Sequence, residues 1–196
     1  MVVNLSKGGN ISLAKTAPAM THARVGLGWD ARSTDGQEFD LDASAFLCGA
    51  IGLALSDQHF VFYNQKQDPS GSVVHLGDNR TGDGDGDDET IDIFLDQVPA
   101  EVETIAFVVS IDQAVARRQN FGMVSNAYVR LFDGDNESDD STILFELNED
   151  ASTEAAIHFA DLYRRNGEWK FRAVGQGWAD ATDLAAVVAK FGLQAG

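Results

Sequence analysis

Along much of the chain, apolar residues recur at every second position. In the segment HARVGLGW, Val25, Leu27 and Trp29 fall on one face, and TIDIFLDQV shows the same alternation. A period of two is the pattern of a strand that turns one face toward a core. The segment TIAFVVSI is apolar almost throughout, which predicts a central strand that is buried on both faces.

Several further segments are rich in β-branched and aromatic residues, and turns of Gly, Asp and Asn separate them: SAFLCGAIGLAL, HFVFYN, NAYVRLFD, TILFEL and EWKFRAVG. This arrangement predicts a mainly β protein, either a two-sheet antiparallel β-sandwich or a barrel-like sheet pair, with a few short helices. The chain has no internal repeat and no linker rich in Pro or Ser. We therefore expect a single domain over residues 1–196.

Helical signals are few. Ser152 or Thr153 precedes a segment at 154–165 that we predict to be a helix, with Asn166 and Gly167 as its stop. A short helical turn is also expected at 114–118. The apolar face of the longer helix would consist of Ile157, Phe159 and Leu162.

The C-terminal segment carries the clearest helical pattern. Its apolar residues are spaced as one face of a helix requires, and they are Leu184, Val187, Val188 and Phe191. Gly192 follows at the position where a helix often ends in a left-handed residue. We therefore predict a C-terminal helix.

Composition excludes several classes of protein. Hydrophobic residues make up 44% of the 196 residues, and the formal net charge is −17. Such a charge argues against binding nucleic acid or anionic lipid, both of which require a basic surface. No apolar run reaches the ~18 residues of a membrane span, and the first residues lack a signal-peptide core. The expectation is a soluble intracellular protein without direct membrane insertion, whose one cysteine, Cys48, is a buried structural thiol.

The acidic charge is concentrated in residues 77–89, GDNRTGDGDGDDE, which contain six carboxylates, four glycines and one arginine. Hard divalent cations such as Ca²⁺ take roughly 6–8 oxygen ligands from carboxylates, carbonyls and water. Glycines let the backbone curl and turn its carbonyls inward. The loop therefore predicts a cation site, and the alternative is a solvated acidic turn.

This loop matches an EF-hand only in part. Asp83, Asp85 and Asp87 fit positions 1, 3 and 5 of the EF-hand loop. Asp88 then stands where glycine is needed, and Phe94 stands where a bidentate Glu is needed. Because the following residues alternate as a strand does, we predict a calcium loop of another kind that lies between two strands.

A second acidic pair lies upstream, in DGQEFDLDASAF. In an extended strand Phe39 and Leu41 would point one way, and Asp40 and Asp42 the other. Two carboxylates on one face repel each other unless a cation lies between them. Asp30 could approach the same rim.

Other candidate chemistry is weak. The acidic segment 133–140 lacks closely spaced glycines, and we interpret it as an exposed hairpin tip. The four histidines show no zinc-ligand spacing, and neither a phosphate-binding loop nor a nucleophile elbow is present. We therefore expect a protein that is not an enzyme.

The order of several motifs resembles the TerD family of tellurite-resistance and stress-response proteins. The motifs include VNLSKGGNISLAKTAP, VGLGWDARSTDGQEFDLDASAFL, HLGDNRTGDGDGDDETI and RRQNFGMVSNAYVRL, and the resemblance covers nearly the whole chain. It implies a β-sandwich with short helices, two bound Ca²⁺ ions and a bacterial cytoplasmic location. The apolar GAIGLAL departs from the more polar turn expected there.

The resemblance also implies a set of metal ligands: Asp40, Asp42, Asp78, Asn79, Gly82, Asp83, Asp85, Asp87, Asp88 and Glu89. It implies partners among other ter-operon proteins, including a membrane partner that would hold the chain at the inner face of the membrane. The expected function is a calcium-binding module in a membrane-associated stress complex. The alternative is a metal-dependent enzyme that acts on a phosphate or tellurium oxyanion.

Overall fold

In the part of the chain that the structure describes, two six-stranded sheets face one another across a shared core. A computed structural model describes residues 2–31, 39–77, 86–136, 142–147 and 153–194. The strands are β1 (Val3–Asn4), β2 (Asn10–Ser12), β3 (His22–Ala31), β4 (Leu41–Cys48), β5 (Phe60–Val61), β6 (Val73–His75), β7 (Glu89–Phe94), β8 (Thr104–Ile111), β9 (Val124–Asp133), β10 (Ile143–Glu146), β11 (Ala156–Arg165) and β12 (Glu168–Gly177). The α-helices described are α1 (Leu13–Thr16), α2 (Ala114–Arg117) and α3 (Leu184–Lys190), with 3-10 turns at Asp57–His59 and Phe121–Met123.

The strand order is β1-β10-β9-β3-β7-β6 in one sheet, sheet A, and β2-β12-β11-β8-β4-β5 in the other, sheet B. All of these pairings are antiparallel except β1 with β10. The mainly β, two-sheet prediction is confirmed, as is the presence of short helices that include one near the C-terminus.

Alternation along the strands decides which side chains enter the core. Val25, Leu27 and Trp29 of β3 are buried between the sheets. Strand β8 lies in the interior of sheet B and is apolar on both faces, because α3 covers its outer side: Val108 belongs to a second cluster with Val188. The continuous apolar run of β8 therefore reflects burial on both faces, against the core on one side and against α3 on the other, as predicted.

The helix predicted at 154–165 is wrong. The segment forms β11, which pairs with β12 and β8. A β-bulge between His158 and Ala160 interrupts its alternation. The apolar residues then recur irregularly, and this spacing resembles a helical face. The core residues of this strand are Ile157, Phe159, Ala160 and Leu162.

The predicted helix stop is a hairpin turn. Asn166 and Gly167 connect β11 to β12, and both have positive φ, 54° and 77°. Asn-Gly is the preferred pair for a two-residue hairpin loop, because both central positions require the left-handed region. The same two residues thus end a strand rather than a helix.

The other two helices are confirmed. α2 occupies most of the predicted turn, and α3 buries Val187 and Val188. The side chain of Asp183 caps α3 by accepting a hydrogen bond of 2.8 Å from the backbone N–H of Ala186. Gly192 follows α3 with φ of 77°, as expected.

Cys48 is buried, as predicted, at the end of β4. Burial, with a smaller contribution from the charge of Asp161, raises the pKa of its thiol to about 12. A thiol in such a setting is inert at neutral pH. Among the described helices, none combines the length and the apolar character that crossing a membrane requires.

Candidate metal centre

The predicted ligands divide into two groups. Asp78, Asn79, Gly82, Asp83 and Asp85 lie outside the described residues. The structure places the other five predicted ligands at the end of the loop and at the start of β4: Asp40, Asp42, Asp87, Asp88 and Glu89.

Glu89 is a carboxylate between the two sheets. It begins β7 and shares the inward face of Ile91, so its side chain is fully buried. Its Oε2 accepts a hydrogen bond of 2.5 Å from the backbone N–H of Ala43 and lies 3.5 Å from Nε2 of His75. Glu89 therefore connects the end of the acidic loop to β4 of the opposite sheet.

The backbone N–H of Ala43 can donate to Glu89 because of its position near the edge of sheet B. Among the described strands, β5 pairs with β4 only at Ala45 and Phe46. Since the backbone at Ala43 lies beyond that pairing, its N–H is open to the carboxylate of Glu89. Asp42 directly precedes Ala43, so this hydrogen bond brings the two predicted acidic motifs together.

Asp40 and Asp42 are both almost fully buried. Leu41, which lies between them, belongs to the core, as does Phe39. Phe39 and Leu41 therefore point one way and Asp40 and Asp42 the other, as predicted. The backbone carbonyl of Asp40 accepts a hydrogen bond of 2.8 Å from the backbone N–H of Asp112. Asp42 lies opposite Ser110 of β8 in the strand register. Carboxylates at this degree of burial require hydrogen bonds or positive charge to compensate their desolvation.

Asp88 joins the loop to β3. Its backbone N–H donates to the carbonyl of Leu27, and its Oδ2 accepts from the backbone N–H of Trp29, both at 2.8 Å. These bonds fix the residue that precedes Glu89. Asp30, expected near this rim, is exposed and accepts a hydrogen bond of 2.6 Å from the side chain of Asn126.

Asp87 already has a cationic partner. Its carboxylate accepts hydrogen bonds from Nε of Arg130, at 2.7 Å, and from the hydroxyl of Tyr128, at 2.9 Å. Burial, followed by the charge of Asp87, raises the pKa of Tyr128. Because Arg130 balances its charge, Asp87 is suited to anchoring the loop on sheet A.

Sequence reasoning missed Tyr128, Arg130 and His75. The side chains of Tyr128 and Arg130 both lie on the outward face of β9. The sequence signal that could have indicated them is the pair of glycines Gly26 and Gly28 on β3. A Cβ on Gly26 would overlap the carboxylate of Asp87, and one on Gly28 would overlap the ring of Tyr128. Two glycines at strand spacing thus mark where these side chains cross the sheet.

The second acidic segment is tied to the sheet at its start. Asp135 is exposed, but its Oδ1 lies 2.9 Å from Nδ1 of His22. Nε2 of His22 lies 3.1 Å from Asp92, whose carboxylate accepts a hydrogen bond of 2.6 Å from Arg24. The prediction of an exposed tip extends to residues 137–140, which lie outside the described part of the chain.

Within the described residues, no group of three or more His, Cys, Asp or Glu side chains is arranged to hold a metal ion. The donor chemistry nevertheless fits a hard cation. Carboxylate oxygens predominate, three of the carboxylates are buried, and two of the acidic motifs meet at Ala43. Five of the ten predicted ligands belong to the part of the loop outside the described residues.

Fold and site together define a two-sheet β protein with buried acidic residues at one loop-bearing edge. A family model described as the TerD domain matches residues 1–191. The chain is 59% identical over 195 residues to tellurium resistance protein TerD of Serratia marcescens, with complete coverage of both chains. The chain therefore belongs to the TerD family.

Other relatives extend the comparison beyond tellurium resistance. General stress protein 16U of Bacillus subtilis is 48% identical over 197 residues, again with complete coverage of both chains. The crystal structure of a homologue of telluride resistance protein (TerD) from Streptomyces coelicolor A3(2) superposes with a TM-score of 0.64 at 25% identity. That match covers 82% of this chain and 91% of the other.

Proposed function

We propose that this chain is a calcium-binding stress-response protein of the tellurite-resistance system, and that it acts as a binding module in a membrane-associated complex. The observation that carries the proposal is the buried carboxylate of Glu89, which joins the acidic loop to the Asp40–Asp42 segment through the N–H of Ala43. The family of the chain supports the role in tellurium resistance and stress response.

Each of the two motifs would hold Ca²⁺ through its own carboxylates. Asp40, Asp42, Asp88 and Glu89 are the described candidates, and the loop residues named above would complete the set. When bound, Ca²⁺ neutralises clustered negative charge without requiring a proton or a basic side chain. The glycine-rich loop would then be fixed against the edge of the sandwich.

A fixed loop creates a surface that another protein can recognise. Asp87, held by Arg130 and Tyr128, and Asp88, held by β3, fix the end of the loop independently of an ion. A partner that binds only the Ca²⁺-bound form would bind more tightly when Ca²⁺ is present, and it would raise the affinity for Ca²⁺ by the same factor.

Calorimetric titration tests the ion. We expect Ca²⁺ to bind the native chain, and Asp42→Asn to weaken that binding by about tenfold or more, since loss of one charged ligand removes a strong contact. The matched control is Asp96→Asn, an exposed carboxylate just after β7. The absence of binding heat in the native chain, or equal weakening by both variants, would contradict the calcium site.

Growth and fractionation test the biological role. In cells that lack the gene, the native chain and Asp96→Asn should restore survival on tellurite, whereas Asp42→Asn should not. The native chain should appear in the membrane fraction only when the other ter-operon proteins are present. Survival restored equally by Asp42→Asn would show that calcium binding is not needed for resistance.

A further inference from the structure

An apolar groove lies between α3 and the edge of sheet B at β5. It has a volume of about 330 Å³, and its apolar lining includes Phe60, Phe62, Leu184, Val188 and Leu193. The groove is on the outer face of sheet B, in the part of the molecule where α3 covers the strands. It shares no residue with the candidate metal centre.

The apolar surface continues onto the loop after β4. Ile51 is 82% exposed, and Leu53 and Leu55 are 40% and 38% exposed. The N–H of Ala54 donates to the carbonyl of Phe191, and a Cβ on Gly192 would lie 3.2 Å from the side chain of Leu53. The loop and the end of α3 are therefore adjacent, and they expose large apolar side chains of the kind that marks an interaction site.

The floor of the groove is a column of stacked aromatic rings. Phe60 stacks on Phe46 and on Phe62, with ring centroids 4.5 Å and 4.3 Å apart, and Phe46 stacks on Phe191 at 4.0 Å. This column of rings joins sheet B to α3. A binding surface that is already ordered loses little conformational entropy when a partner binds.

The backbone edge beside the groove is closed to an added strand. The side-chain Nε2 of Gln65 donates to the carbonyls of Asp57 and Phe60, at 2.9 Å and 2.6 Å. Phe62 and Gln65 also exchange backbone hydrogen bonds of 3.0 Å. Because these groups are occupied, recognition here must use side chains, as it does when an apolar helix face enters a groove.

The charges around the groove select the partner. Asp57 lines it and is exposed, and the exposed Asp183 directly precedes the lining residue Leu184. The nearby Lys190 is paired with Asp180 at 2.8 Å. A second copy of the chain would place the same acidic rim against this one, and an anionic lipid surface would be repelled by both carboxylates.

We propose that this groove is the docking site for a basic amphipathic segment of a partner protein, which binds as a helix. Its apolar side chains, at helical spacing, enter between α3 and β5, and Lys or Arg residues at its flanks meet Asp57 and Asp183. This inference rests on the binding-module role proposed above, but it does not depend on the calcium site.

A designed peptide tests the groove directly. The probe is an amphipathic Leu–Lys peptide of about 14 residues, which forms roughly four helical turns. The native chain should bind it, and a peptide with the same composition in scrambled order should bind about tenfold more weakly or less. A Leu–Glu peptide with the same apolar stripe should not bind. Equal binding of the scrambled peptide would reduce the interaction to nonspecific charge attraction and overturn the proposal.

Variants locate the binding site. Leu184→Asp and Leu193→Asp should each weaken peptide binding by about tenfold or more, because a charge replaces an apolar contact at the centre of the interface. The control is Val115→Asp on α2, which replaces a side chain that is 68% exposed outside the groove. Circular dichroism and thermal melting verify folding. If the control weakens binding equally, or if folded Leu184→Asp and Leu193→Asp bind as the native chain does, the proposed site is wrong.

Replacing the acidic side chain of Asp57 with a basic one tests the role of the charges around the groove. Asp57→Lys should weaken binding of the Leu–Lys peptide, reduce its salt dependence and strengthen binding of the Leu–Glu peptide. Asp96→Lys should have none of these three effects. Sedimentation and vesicle flotation address other occupants. A native dimer that Leu184→Asp dissociates, or binding to vesicles that the same variant abolishes, would assign the groove to a second copy or to lipid and overturn the proposal.

Titrations in calcium and in EGTA separate the two proposals. Peptide binding that persists in EGTA, and in Asp42→Asn, supports the groove whatever the outcome for calcium. Calcium binding without peptide binding rejects the groove and leaves the calcium site unaffected.

Discussion

On the outer face of sheet A, two glycines of β3 make room for side chains that cross from other elements. The carboxylate of Asp87 occupies the space above Gly26, and the ring of Tyr128 occupies the space above Gly28. Arg130 and Tyr128 both donate hydrogen bonds to Asp87. At this scale the loop is attached by one small group of residues in which each position depends on the others.

Gly26→Ala should therefore destabilise the chain. The added Cβ must displace Asp87 from Arg130 and Tyr128, and we expect the free energy of unfolding to fall by about 2 kcal/mol or more. Urea denaturation in EGTA measures this effect without any contribution from a metal. In an Asp87→Ala background the same change should cost much less, since the overlapping carboxylate is gone. Equal costs in both backgrounds would show that Asp87 is not the reason for Gly26.

This group of residues was only partly predictable. The strand spacing of the glycines and of Tyr128 with Arg130 is visible in the sequence. Which side chain lies above which glycine depends on the pairing of β3 with β9 and on the path of the loop after residue 85. Neither of these is encoded in a local pattern.

At the scale of secondary structure, the least predictable element was β11. Its bulge places Phe159 and Ala160, two neighbours in sequence, both in the core. An isolated strand cannot do this, whereas a strand held on both sides by β8 and β12 can, because the partners fix the bulge. Tertiary pairing thus overrode a local pattern that resembled a helix.

A second connection between elements depends on pH. His22 at the start of β3 contacts Asp92 of β7 and Asp135 after β9. Burial by itself would lower the pKa of His22, but the hydrogen bonds and charges of Asp135 and Asp92 outweigh it and raise the pKa above 6.5. The protonated histidine therefore stabilises the fold below that pH, and this stabilisation is lost as the pH rises through the folded-state pKa.

The unfolding free energy should accordingly fall as the pH rises above the ordinary histidine pKa of about 6.5, and His22→Gln should reduce this dependence. Urea denaturation at several pH values measures both slopes. His59→Gln is the control, since the described partner of His59 is the hydroxyl of Ser56, and it should retain the native slope. A slope that is the same for the native chain and His22→Gln would contradict the assignment.

At the scale of the whole molecule, the dominant property is a net charge of −17. Such a charge destabilises a compact state through self-repulsion, and both bound cations and dissolved salt relieve it. The two forms of relief differ in specificity. A bound ion acts at concentrations near its dissociation constant, whereas screening follows total ionic strength.

Ca²⁺ at about a hundredfold excess over its dissociation constant should raise the unfolding free energy by about 2.7 kcal/mol per site. NaCl at matched ionic strength should have a much smaller effect, and EGTA should reverse the effect of Ca²⁺. Thermal or urea denaturation measures all three conditions, with Asp42→Asn as the variant expected to show a smaller response to Ca²⁺. Stability that follows NaCl and ignores Ca²⁺ would indicate a solvated acidic surface instead.

The sequence by itself determined the mainly β class, the C-terminal helix, the buried cysteine and the concentration of oxygen donors in residues 77–89. These properties follow from local periodicity, capping and composition, which act within a few residues. Tertiary structure alone decided that 156–165 is a strand, that Glu89 reaches Ala43 of the other sheet, and that Asp87 is held by Arg130. Each of these depends on groups far apart in the chain, whose contact is set by strand pairing and by packing of the two sheets.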